Sequence, residues 1–323
     1  MDHNPTRDDY SPENLERVRR TCLYVATILG SVLDQVTIVG GLVPSLLVSE
    51  EDLPPGFERH VGTMDLDLGL SLALLDDELY ATVSEQLRRS GFRPDVNENG
   101  NPTLQRWRTP DGMPKVTVDF LIPVSPQGEQ PDRVKKLERD FGALVTAGLQ
   151  LVARDRRKVS LEGTTLTGAR ARRELWVCGP GAYVVLKARA VHGREKDKDA
   201  YDLCYLLQCY ADRPDEVAEV LRPLLDDADA REAMEWLTDD FADLDSLGPL
   251  RFARFLAGQR DEDLQTVAER AVQDLLQMIG YPATAWACPW GVGREGFPCP
   301  TPSCRTTPTI RMRITNSSGF CAR

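Results

Sequence analysis

The chain has 323 residues, 28% of them charged and 41% hydrophobic, and a formal net charge of −11. That length allows two packed domains, or one large domain with extensions. No apolar run reaches the roughly 18 residues that a bilayer span needs, and the acidic balance excludes the global basic field of a broad DNA binder. The N-terminus, Met1-Asp2-His3-Asn4-Pro5, is polar and lacks an apolar signal core, so a cytoplasmic protein without a membrane partner is expected.

Ser11-Pro12 opens the first helix, with Ser11 as N-cap and Pro12 at the first helical position. Leu15, Val18, Cys22, Val25 and Leu29 recur at helical spacing, and Gly30 is the stop. Val36 to Val39 reads as a short strand that runs into Gly40-Gly41 and an apolar helix over 42–48. A strand, a glycine turn and a helix let backbone N–H groups approach an anion, although most Gly-Gly pairs are only turns. Residues 49–60 form a loop with Pro54-Pro55-Gly56.

The next stretch, His60-Val61-Gly62-Thr63-Met64-Asp65-Leu66-Asp67-Leu68-Gly69-Leu70, alternates with a period of two and predicts a strand. Met64, Leu66 and Leu68 then share one face, and Asp65 and Asp67 share the other. Two carboxylates on one face of a buried strand repel each other and lose hydration, so a cation between them is the usual reason for such a pair to persist. Taken alone, the pair also fits a solvated edge strand.

Asp76 to Arg89 reads as a helix with acids first and Arg88-Arg89 last, closed by Gly91. Residues 93–101 are turn-rich. Strands over Thr103–Arg108 and Lys115–Ile122 are joined by Pro110-Asp111-Gly112, a hairpin signal. Asp119 stands alone in the apolar run of the second strand and needs a partner there. On its own it also reads as half of a salt bridge to an arginine. Residues 125–140 are polar and rich in Lys and Arg; Leu149–Ala153, Lys158–Leu161 and Glu174–Cys178 are shorter strand candidates. Arg156-Arg157-Lys158 reads as a solvated turn that could also touch an RNA backbone. From Pro180 the pattern is helical: Gly181–His192, Asp197–Tyr210, Pro214–Leu225, Ala230–Leu237, Leu250–Leu256 and Asp261–Ile279.

Strands mixed with helices, then helices alone, predict an α+β fold with a boundary near 175. Beyond Pro282 the chain is rich in Pro, Gly, Cys, Thr and Arg without periodicity, and a disordered tail over 283–323 is expected. Cys288, Cys299, Cys304 and Cys321 contain no C-x-x-C pair, so free thiols are a better reading than zinc. Cys22, Cys178, Cys204 and Cys209 look like small core residues.

Gly40-Gly41, then Thr63-x-Asp65-x-Asp67, then Asp119 in an apolar strand resembles the nucleotidyltransferases of the DNA polymerase β type. Pro180-Gly181-Ala182-Tyr183-Val184-Val185-Leu186-Lys187-Ala188-Arg189-Ala190 and Arg194-Glu195-Lys196-Asp197-Lys198-Asp199-Ala200-Tyr201-Asp202-Leu203 are similar to the helical region of AbiEii-type nucleotidyltransferases, toxins of abortive-infection toxin–antitoxin pairs. His60 to Asp67 resembles the same group. The resemblance spans roughly 36–210, although about twenty residues separate Gly41 from the acids, more than in the compact motif.

The resemblance implies a mixed-sheet catalytic domain over 1–175, with its N-terminal helix, and a helical domain over 176–282 that contributes to the nucleotide site. It implies that Asp65 and Asp67 ligate Mg²⁺ and that Asp119 shares one ion and helps deprotonate an attacking hydroxyl. Two ions about 3.5–4 Å apart would clamp an in-line displacement. Gly40 and Gly41 would receive triphosphate oxygens, with Thr63, Lys187 and Asp199 also at the nucleotide. Asp202 is expected to be a structural partner of a nearby basic residue, and His60 a loop contact rather than a base. The implied reaction moves an NMP from an NTP to a hydroxyl, on a tRNA 3′ end or a protein side chain, with a cognate antitoxin as a further partner. Two other readings stand beside it. One is a catalytically silent module that binds a partner protein. The other is a glycosyltransferase, in which D-x-D also holds a metal but no third strand acid is needed.

Overall fold

The computed structural model describes residues 4–70, 77–125, 130–211 and 213–281; side chains of 77–79 are not described, and the tail over 283–323 with its four cysteines lies outside the described residues. The fold is α+β. Helix α1 spans Pro12–Leu29; Ser11 accepts a hydrogen bond from the Asn14 N–H, and Gly30 closes the helix at φ 52°. All five apolar residues at helical spacing are buried, and Cys22, Cys178, Cys204 and Cys209 are buried free thiols.

Among the described residues the sheet has nine strands: β1 Val36–Val39, β2 Asp65–Leu70, β3 Arg93–Val96, β4 Pro102–Arg108, β5 Thr117–Pro123, β6 Val134–Lys136, β7 Gly142–Thr146, β8 Arg156–Thr164 and β9 Arg170–Cys178. Their order is β3-β4-β5-β2-β1-β9-β8, with β7 pairing β5 beyond the end of β4, and β6 on β7. β2 runs parallel to β5, β1 to β9 and β5 to β7; the other pairs are antiparallel. The helices are α2 Val43–Leu47 and α3 Asp77–Arg89, then α4 Pro180–Gly193, α5 Lys198–Cys209, α6 Pro214–Leu221, α7 Ala228–Asp240, α8 Leu247–Ala257 and α9 Glu262–Ile279. One continuous buried cluster joins α1, the central strands and the C-terminal helices. Among the described residues no helix is long and apolar enough to cross a membrane.

Several elements differ from their expectations. Leu149–Ala153 is a 3-10 helix, not a strand. A short apolar run has no periodicity to separate the two; here Gly148 turns left-handed at φ 81° and its N–H donates to Asp229. Met64 lies just before β2 and is 42% exposed, so the apolar face begins at Leu66. The Lys- and Arg-rich stretch contains β6, and the turn-rich stretch contains β3. Arg156 and Lys158 are strand residues stacked over Trp176, 4.0 and 5.0 Å from its ring centre, rather than members of a solvated turn. β9 continues through residue 175 to Cys178, so the sheet ends three residues past the expected boundary.

Candidate active site

Strand register places three acids on one face of the sheet. Side chains on one strand alternate faces, so Asp65 and Asp67 of β2 share a face. In the parallel β2–β5 pair, Asp67 stands beside Asp119, and in the antiparallel β4–β5 pair Asp119 stands beside Arg106. On the other side Asp67 pairs Val39, the residue before Gly40. One row across the sheet therefore reads Arg106, Asp119, Asp67, Val39. The opposite face of the same strands carries Leu66, Leu68, Val118 and Phe120, all buried in the core. The alternation that packs the core thus forces the acids onto one face.

Each acid has a different environment. Asp65 accepts a hydrogen bond from the Thr63 hydroxyl at 2.8 Å. Burial raises its carboxyl, but Lys196, Thr63, Lys198 and Arg106 outweigh burial, and it titrates below the ordinary range. Asp119 is gripped by Arg106 through Nε and Nη2, at 2.8 and 2.7 Å. Asp67 is pushed up to about 7 by burial and by the charges of Asp65 and Asp119; Arg194 and Lys196 oppose the shift. Among the described residues none forms an ion pair with Asp67. Asp65 forms none either, but for Asp67 burial and the two neighbouring acids outweigh Arg194 and Lys196, so this middle carboxylate is the least compensated of the three.

The two glycines are accounted for by close approach. A Cβ on Gly40 would sit 1.9 Å from Asp67 Oδ2, and Gly40 has φ +68°. A Cβ on Gly41 would lie 2.8 Å from the Thr63 hydroxyl. The helix that follows is only five residues long and begins after a 3-10 turn over Gly40–Leu42. It starts one residue later and ends one residue earlier than the expected helix over 42–48. Gly40→Ala should lower stability by about 1–3 kcal/mol through left-handed strain together with displacement of Asp67. Gly168→Ala has a similar φ of +83° but nothing within 4 Å of the new Cβ, so it should cost less. Chemical denaturation of both variants checks this; equal losses would show that Asp67 does not press on Gly40.

Behind the acids lies a buried ionic network. Lys187 of α4 donates to Asp199 and Asp202 of α5, both at 2.7 Å. The i,i+3 spacing of those two acids puts them on one helix face, which is why a single ammonium reaches both. Asp199 also accepts from Arg194 at 2.7 Å, and Asp202 from Lys198 and from His60 Nε2 at 2.9 Å. Burial lowers the Lys187 ammonium, but Asp199 and Asp202 more than compensate and it stays charged. Lys187 is therefore neither a snorkelling surface lysine nor an unengaged phosphate ligand: two of its three N–H bonds are committed inside the protein. Lys198 and Asp199 are likewise buried rather than part of an exposed turn.

His60 ties this network to the acids' strand. The Gly62 N–H can only donate, and it points at His60 Nδ1 over 3.0 Å, so Nδ1 accepts and Nε2 carries the proton given to Asp202. Burial pushes His60 down to about 4 against the hydrogen bond to Asp202, so the ring is neutral at pH 7. It stacks on Tyr201 with ring centres 5.2 Å apart, while the Tyr201 hydroxyl accepts from the Val61 N–H. α5 thereby fixes the loop from which β2 starts. His60 is a loop contact, as the sequence suggests, and Asp202 is a partner of basic residues.

A cavity of about 260 Å³ opens beside Asp67. Gly40, Asp67, Lys187 and Arg194 line it together with Tyr183 and Trp236. Trp236 is stacked on His192 with ring centres 4.6 Å apart, and Arg189 lies 4.8 Å from its ring centre. The sequence reading missed Trp236 and Arg106; both sit in elements whose period marks a helix or a strand but not the partner it faces.

Asp65 and Asp67 are oxygen donors of the kind a hard divalent cation takes, and neither is in an ion pair among the described residues. Even so, no three His, Cys, Asp or Glu side chains among the described residues are gathered as a ready metal cluster. Asp119 is turned to Arg106 instead. Compared with known proteins, the chain matches no family model and no curated protein.

Proposed function

We propose that the protein is an Mg²⁺-dependent nucleotidyltransferase that moves an NMP from an NTP to a hydroxyl acceptor. The observation that carries this reading is the row of acids on one sheet face, with Asp67, in no ion pair among the described residues, packed on Gly40 and lining a cavity. Asp65 and Asp67 would hold Mg²⁺, which draws charge from a polyphosphate and favours the ionised form of a bound hydroxyl. The cavity beyond them offers the nucleoside an apolar wall in Leu121, Leu144, Leu149 and Leu186. Arg194 borders the same space and carries the charge a phosphate needs. Gly40 and Gly41 keep the backbone low enough for a phosphate to come near. Thr63 orients Asp65, and Lys187 acts through Asp199 and Asp202 rather than as a free contact.

A tRNA 3′ end and a protein side chain both offer the required hydroxyl, and an antitoxin partner belongs to the same proposal through the AbiEii resemblance. A silent module that docks a partner protein is the second reading, favoured by the Arg106–Asp119 pair, which occupies the third acid. Incubation with labelled NTPs and candidate acceptors decides between them. The wild type should label an acceptor and release pyrophosphate, and Asp65→Ala should not. Equal labelling by both would reject the site, and no labelling with no heat of NTP binding would favour the module.

A further inference from the structure

Among the described residues Arg106 is the cation whose fork holds one of the three strand acids; Arg194 forks in the same way onto Asp199, outside the row. The Arg106 fork spends both contacts on a single carboxylate, Asp119. The Arg106 side chain is 43% exposed, whereas that of Asp119 beneath it is 14% exposed. Arg106 also feels the charges of Asp65 and Asp67. A bidentate guanidinium–carboxylate pair uses the same lone pairs that a divalent cation needs. The remaining acids, Asp65 and Asp67, lie two residues apart on β2 and make no such pair among the described residues.

We propose that Arg106 is a positioning residue that fills the place of a second cation, so that the resting site takes one divalent ion, at Asp65 and Asp67. This rests on the nucleotidyltransferase reading and revises its ion count. Arg106 supplies positive charge to the row without being a ligand. The sheet register makes this structural: Arg106 and Asp119 are directly opposed on neighbouring strands, so the guanidinium reaches the carboxylate without leaving its own strand. Because the Arg106 side chain is partly exposed, it can be withdrawn without leaving a buried positive charge.

The test is calorimetric titration of the full chain with Mg²⁺, repeated with Mn²⁺, with no nucleotide present. Wild type should bind one ion per chain. Arg106→Gln frees both oxygens of Asp119 and should bind two, or bind the first at least about tenfold more tightly. Arg106→Lys keeps the charge but not the fork, and should fall between. Arg106→Gln combined with Asp119→Asn should return to one ion at wild-type affinity. Melting curves recorded alongside identify any variant that fails to fold, and Arg106→Lys then serves as the informative substitution. Two ions in the wild type overturn the proposal. So does a single ion bound with unchanged affinity in both Arg106 variants, or a second ion that survives loss of Asp119. Those outcomes leave the transferase reading standing as long as Asp65→Ala loses the ion. No ion bound by any of the proteins removes both.

Discussion

Asp67→Asn should make the metal-free protein more stable at pH 7.5 while removing the proposed nucleotidyl transfer. The two effects share one cause. Asp67 is pushed up to about 7 by burial and by Asp65 and Asp119, against an ordinary carboxyl value near 4. The folded state therefore binds more protons than the unfolded state between about pH 4 and pH 7, and stability falls as pH rises through that window. At pH 7.5 the ionised carboxylate costs on the order of 1–3 kcal/mol, discounted for its coupling to the other two acids. Asparagine keeps the shape without the charge and recovers that amount, raising the melting temperature by several degrees, at about 2–4 °C per kcal/mol for a chain of this size. Activity moves the other way. Loss of even an outer partner of a metal ligand costs about 10–100-fold, so if Asp67 is the ligand proposed above, its loss should cost on the order of 10³-fold. Melting curves from pH 4.5 to 8 without metal make the check. The wild type should destabilise across the window and Asp67→Asn should follow a flatter curve. A variant that melts below the wild type at pH 7.5 would show that Asp67 is already compensated.

The acids were readable because a strand with one buried face has little freedom. The alternation Leu66, Leu68 against Asp65, Asp67 leaves one way to pack, and Val118, Phe120 against Asp119 repeats it on β5. α1 was readable for a similar reason: its cap, its helical period and its stop agree. That Asp119 pairs with an arginine was one of its two readings, but which arginine was not readable, because the register that sets Arg106 beside it depends on the length of the β4–β5 hairpin. The partners of Lys187 were half readable. The i,i+3 spacing of Asp199 and Asp202 defines a face, but nothing local says that α4 and α5 bring Lys187 between them. The 3-10 turn over Leu149–Ala153 and the edge strand β6 were missed because neither has a period of its own. The glycine turn was recognised for its flexibility, while the structure ties it to the bulk of Asp67 and Thr63.

Lys187→Met should be the most destabilising single change in the helical half. The ammonium and both acids it bridges are nearly inaccessible, with side-chain exposures of 6%, 2% and 1% for Lys187, Asp199 and Asp202. Removing one partner of such a group leaves uncompensated buried charge, a loss of about 3–5 kcal/mol. At about 2–4 °C per kcal/mol the melting temperature should fall by roughly 10 °C. A second substitution separates charge balance from lost packing. Asp199 has another partner in Arg194, whose side chain is 57% exposed and can turn to water. Adding Asp199→Asn to Lys187→Met removes one charge of each sign and leaves Asp202 paired with Lys198 and His60. The double variant should therefore melt above Lys187→Met. If it melts lower still, the lysine acts through its packing and not its charge. The same pair of variants bears on chemistry, since His60 and Asp202 anchor the loop that leads into β2. A lysine that serves only this scaffold should regain activity along with stability in the double variant. One that also gives its remaining N–H to a nucleotide in the cavity should regain stability alone.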